Sequence, residues 1–82
     1  MSPNDLKLRN LLVETLLIDD EQYRDENGPD TIETWDSLAM VRIAAGVGEV
    51  FGYDMTPEEM VSLESIGDIK AILQAHDIRF DP

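Results

Sequence analysis

Four helix-start signatures partition this chain, and no stretch of it alternates polar and apolar residues as a half-buried strand does. Ser2 and Pro3 suit the cap and first position of a helix, with Asp5 three residues after the cap. Asp36 is a natural cap for a helix opening at Ser37. Thr56-Pro57-Glu58-Glu59 combines a cap, a first-turn proline and the reciprocal acid of a capping box. Ser65-Ile66-Gly67-Asp68 repeats that signature.

Apolar spacing fills in the helices. The first is predicted to run to Leu17 or Ile18, with Leu8, Leu12 and Leu16 recurring every four residues and Leu6 and Leu11 beside them. The second places Leu38, Val41, Ile43, Val47 and Phe51 on an apolar stripe, widened by Ala44, Ala45 and Val50, and stops at Gly52. The third is short, with Met60, Val61 and Leu63. The fourth carries Ile66, Ile69, Ile72 and Leu73 and ends near His76. The predicted fold is all-α: a small four-helix bundle of three longer helices and one short, in a single domain over residues 1–82.

Residues 19–34 read as a long polar connection without secondary structure of its own, turned at Asn27-Gly28-Pro29 and anchored by Tyr23 and Ile32. Between Asp19 and Asp36 there are eight acids and one base, Arg24. The whole chain holds 18 acids against 6 bases, a net charge of −12 in 82 residues. That charge repels nucleic-acid phosphates and anionic lipid and favours basic protein surfaces. A hydrophobic content of 43% is nevertheless enough for a core. With no cysteine there is no disulfide framework, thiolate metal site or thiol nucleophile. No apolar run reaches a membrane span, and the N-terminus lacks the basic head and apolar stretch of a signal peptide. A cytoplasmic monomer without membrane insertion is expected.

The most informative place is Thr34-Trp35-Asp36-Ser37-Leu38. A serine opening a helix keeps an accessible hydroxyl, and the helix N-terminus favours an anion attached there. From position alone, Ser37 is equally readable as an ordinary first-turn residue beside its cap. The wider pattern adds to this. Asp36-Ser37-Leu38, then Val41, Ile43, Val47 and Phe51, then Pro57-Glu58-Glu59, then Ser65-Ile66, resembles the acyl carrier protein family over nearly the whole chain, most tightly from Trp35 to Leu73.

The resemblance implies a carrier rather than an enzyme. Ser37 would bear 4′-phosphopantetheine, delivered from coenzyme A by a phosphopantetheinyl transferase that uses magnesium. Asp36 would belong to the motif that the transferase reads, and Leu38 would either pack in the core or touch that enzyme. Cargo would ride as a thioester between partners: an acyl- or aminoacyl-loading ligase, an acyltransferase or a ketosynthase. The alternative is a non-carrier acidic helical adaptor that binds basic proteins.

Some residues depart from the fatty-acid branch of that family. Thr34-Trp35 stands where glycine and a small or acidic residue are usual, and the aromatic resembles carriers of specialised biosynthesis. Trp35 is either an anchor for the long loop or a wall beside the arm or partner. The second helix carries Arg42, with Glu49 its only acid after Asp36. Trp35, Met40, Val41 and Arg42 are therefore the candidate docking residues. Gly46 and Gly48 either let helices approach or leave room for cargo. Three further features carry less. Residues 23–34 imitate a calcium loop but lack its first and last carboxylates. His76 suits a helix C-terminus. Met40, Met55 and Met60 suit the core or its rim.

Overall fold

The computed structural model describes residues 2–80. Within them lie four helices: α1 (Pro3–Leu16), α2 (Ser37–Phe51), α3 (Pro57–Ser62) and α4 (Ile66–Ala75). The described residues contain no strand, so the all-α expectation holds. Among the described residues no helix is long and apolar enough to cross a membrane.

Each expected cap forms. Ser2 Oγ accepts from Asp5 N–H at 3.2 Å, and Asp36 Oδ1 from Ala39 N–H at 2.9 Å. Thr56 Oγ1 accepts from Glu59 N–H at 3.1 Å while Glu59 Oε1 accepts from Thr56 N–H at 2.9 Å, closing the capping box. Ser65 Oγ accepts from Asp68 N–H at 3.1 Å, but the Asp68 carboxylate turns to Glu64 N–H at 2.9 Å instead of Ser65.

α1 ends one residue earlier than its leucines suggest. Leu17 lies in the left-handed region at φ 55°, which terminates the helix with a leucine where glycine would be unstrained. α1 and α2 run antiparallel. Thr34 Oγ1 donates to Leu16 O at one end, whereas Phe51 and Phe80 meet at the other, with ring centroids 6.1 Å apart, near the Asn4 amide that donates to Arg79 O.

The core is made from Leu8, Leu12 and Leu16 of α1, Ala39, Ile43 and Val47 of α2, and Ile66, Ile69 and Leu73 of α4. Burying each large aliphatic side chain contributes about 1.5–3 kcal/mol, which makes this cluster the dominant favourable term. The predicted α2 stripe needs correction. Its members Val41 and Ile43 are two residues apart, so they point roughly 200° apart on a helix. The fold buries the set containing Ile43 and leaves Leu38 and Val41 in solvent, with small Ala39 taking the inward position. In α3, Leu63 is buried just past the helix and Val61 is exposed.

The long connection is more structured than its composition suggests. Asp20–Gln22 form a 3-10 turn, closed by Gln22 Oε1 accepting from Asp19 N–H at 3.0 Å. Ile32 is buried and Tyr23 packs against the core, as expected of the two anchors. The loop also caps α4 with backbone: Asp25 O accepts from Gly67 N–H at 3.0 Å and Asn27 O from Ile66 N–H at 2.8 Å. Lys70 binds Asp25 at 2.7 Å and Asp5 at 3.3 Å, and lies 4.9 Å from the Tyr23 ring centroid. Burial works against the Lys70 charge, but the bond to Asp25 and the charges of Asp25 and Asp5 raise its pKa on balance. Burial, then the Asp5 hydrogen bond, push the Tyr23 hydroxyl well up. Of the side chains that imitate a calcium loop, Asp25 is engaged with Lys70 of α4, and Asn27 is held within the loop by Gln22 O and Thr31 Oγ1.

Candidate functional site

Asp36 and Ser37 meet where the long connection enters α2. Asp36 is extended, at φ −112° and ψ −170°, and its side chain turns back over the first turn to cap Ala39. That geometry places Ser37 at the first helical position, exposed, with its hydroxyl making no hydrogen bond to the described residues. The Ser37 and Leu38 N–H groups also have no acceptor among the described residues, as expected of a helix's first turn. A hydroxyl beside two open donors at the positive end of a 15-residue helix can hold an attached phosphodiester.

Ser37 opens onto a groove of about 400 Å³ between α2 and α3, lined by Met40, Val41, Pro57, Met60 and Val61 as well as Ser37 itself. The groove has no ionisable lining residue. Its α3 wall is a short helix with no fully buried residue. Behind that wall Tyr53 donates to Glu59 at 2.6 Å, its ring stacks on His76 with centroids 4.2 Å apart, and His76 Nε2 stands 4.0 Å from Glu59. His76 therefore ends α4 as a partner of α3. The Tyr53 hydrogen bond and the Thr56 N–H hold the Glu59 carboxyl below its usual range. The same bond to Glu59, with burial, pushes Tyr53 up to about 12.

The structure sorts the candidate docking residues. Trp35 is 4% exposed and donates from Nε1 to Met40 Sδ at 3.3 Å, so it is an anchor. At that exposure it offers little surface as a wall beside an arm or partner. Val41 and Arg42 are exposed, and Met40 lines the groove. Leu38 is exposed as well, so the core-packing reading of this residue fails. Pro57 and Val61 complete the groove. The α3 capping box fixes where Pro57 lies, but nothing in the spacing shows that α3 turns it toward Ser37.

Gly46 settles its own alternatives. A Cβ there would lie 2.2 Å from Leu11 Cδ1, so this glycine serves the close approach of α1 and α2. Among the described residues no cluster of three or more His, Cys, Asp or Glu side chains is gathered as for a metal ion.

The fold and site together define a small all-helical protein with an exposed serine at a helix start beside an apolar groove. No protein-family model matches the chain. An acyl carrier protein from Coprothermobacter proteolyticus is 26% identical over 70 residues, which span 85% of this chain and 85% of that protein.

Proposed function

We propose that the protein is an acyl carrier, modified on Ser37 with 4′-phosphopantetheine from coenzyme A. The observation that carries this reading is the pairing of an exposed, unbonded serine hydroxyl at the start of α2 with the apolar groove at its side. The similarity to an acyl carrier protein over most of both chains supports it. When bound, the prosthetic arm supplies a terminal thiol on which cargo is held as a thioester.

The chain's own part is to position and shelter. Asp36 fixes the first turn so that Ser37 stays outward, and the Ser37 and Leu38 N–H groups, left without acceptors, would be available to hold an attached phosphodiester. Met40, Val41, Pro57, Met60 and Val61 offer an apolar lining with no counter-charge for an ammonium group. That lining favours an acyl chain over an aminoacyl group as the sheltered cargo, because an unpaired charge in such a groove is costly. Arg42 and the bare α2 surface favour a specialised biosynthetic pathway over housekeeping fatty-acid synthesis.

The reading is tested on protein recovered from its native cells. Its intact mass should exceed that of the chain by one phosphopantetheine plus cargo, and hydroxylamine should strip the cargo and leave the arm. Recovery of only the unmodified chain would overturn it. The acidic-adaptor alternative predicts that result, together with partner binding indifferent to Ser37→Ala.

A further inference from the structure

We propose that the Ser37 end of the molecule docks its modifying enzyme through an apolar contact plus one ion pair, from Arg42 to a carboxylate on that enzyme, and not through the chain's excess of acids. The inference rests on the carrier reading and names the chemistry of the partner at the same site.

Of the six exposed large apolar residues, three lie beside Ser37 and its groove, whereas Leu6 and Val50 lie elsewhere. Leu38 is 58% exposed, Val41 60% and Val61 83%. Scattered exposed apolar side chains are ordinary, but these three are contiguous. Leu38 and Val41 are three residues apart on one side of α2, and Val41 and Val61 face each other across the groove that Ser37 opens onto. Leu17, just past the end of α1, lies outside that groove. It is 83% exposed and held at φ 55°, so it adds little to the core while occupying a conformation that disfavours leucine. It borders the same surface depression as Thr34, three residues before Ser37.

Arg42 stands one turn after Leu38, exposed, and makes no ion pair among the described residues. Asp36, the acid nearest before Arg42 in the sequence, is committed to Ala39 N–H, and on α3 Glu59 is committed to Tyr53 and Thr56 while Glu58 is exposed without an ion pair. α2 carries no other acid before Glu49. Eight of the chain's 18 acids lie in the connection from Asp19 to Asp36. The contact surface on α2 therefore matches an apolar patch with an acid set opposite Arg42.

Transfer of phosphopantetheine from coenzyme A to the full chain by the transferase of the source organism provides the test, read by intact mass. Apolar contact is not screened but the Arg42 pair is, so wild-type kcat/KM should fall between ~0.05 and ~0.5 M salt by no more than the loss caused by Arg42→Gln, and the Arg42→Gln variant should change by less than about threefold over that range. Leu38→Ser and Arg42→Glu should each lower kcat/KM about tenfold or more. Arg42→Gln should fall between Arg42→Glu and wild type. Lys7→Glu, an equal charge change on α1 beside Gly46 and Glu49, should leave it unchanged. These side chains are exposed, and unchanged thermal melts will show that the variants fold. A steep fall with salt that persists in Arg42→Gln, a gain on Arg42→Glu, or indifference to Leu38→Ser would overturn the inference while leaving the carrier reading standing. A wild-type chain that takes no mass increment at any salt would instead overturn the carrier reading, and this inference with it.

Discussion

Gly28 meets Glu64 through backbone alone. A Cβ on Gly28 would lie 1.9 Å from Glu64 O and 2.7 Å from its carbonyl carbon. Neither atom can rotate away as a side-chain tip would. The contact clamps the long connection against the start of α4, where Asn27 O and Asp25 O take the first N–H groups. Gly28→Ala should therefore destabilise the fold by about 1–3 kcal/mol. At about 4–8 °C per kcal/mol, thermal unfolding will show it. An unchanged midpoint would remove the clamp from the account.

Two helical glycines should respond differently to the same substitution. Each gains about 1 kcal/mol of helix propensity as alanine. At Gly48 the new methyl meets only Asp54 Oδ1 at 3.1 Å, an exposed carboxylate free to turn, so Gly48→Ala should stabilise by about 0.5–1 kcal/mol. At Gly46 it meets three atoms of Leu11 within 3.2 Å, so the gain should be cancelled or reversed. Equal gains for both, measured by denaturant unfolding, would contradict the proposed packing of α1 on α2.

These contacts show where sequence reading reached and where it stopped. The helix starts were legible because caps act over three residues: Ser2 with Asp5, Asp36 with Ala39, Thr56 with Glu59 and Ser65 with Asp68 all form. The outward turn of Val61 was not, and for Leu38 and Val41 the apolar spacing pointed to the core while only the family resemblance pointed outward. An apolar residue on an amphipathic helix is assigned to the core by default, and only the two-residue step from Val41 to Ile43 signalled a break. The backbone contacts of Gly28 and Asn27 with α4 join residues about 40 apart, a relationship that local spacing does not encode. For the candidate site, Ser37 and Asp36 were readable from the motif, while the groove wall from α3 depended on tertiary packing.

The Tyr53–Glu59 bond gives stability a dependence at both ends of the pH scale. Glu59 is held below its usual range, so its contribution is present above the unfolded carboxyl value and is lost as pH falls through the lower folded value. Tyr53 is raised from 10.0 to about 12, so its contribution is present below 10 and is lost as pH rises toward 12. Tyr53→Phe should lower the melting temperature near neutrality, with the deficit shrinking toward both extremes. Glu59→Gln keeps a capping-box residue while removing the charge, and its deficit should shrink in acid. A deficit constant from acid to alkali would show that the bond contributes nothing through ionisation.

Asp36 has a structural role that can be separated from any role in recognition. Asp36→Ala removes the cap on Ala39 N–H and should cost about 1 kcal/mol. Asp36→Asn keeps a side-chain oxygen for that bond and should unfold within a few tenths of a kcal/mol of wild type. If the two variants melt alike, the cap does not hold the first turn of α2.

The most direct measurement is the intact mass of the purified chain after incubation with coenzyme A, magnesium and a broad-specificity phosphopantetheinyl transferase. The account predicts a gain of one phosphopantetheine on wild type and none on Ser37→Ala, with both proteins equally folded. No gain on wild type, or an undiminished gain on Ser37→Ala, would contradict it.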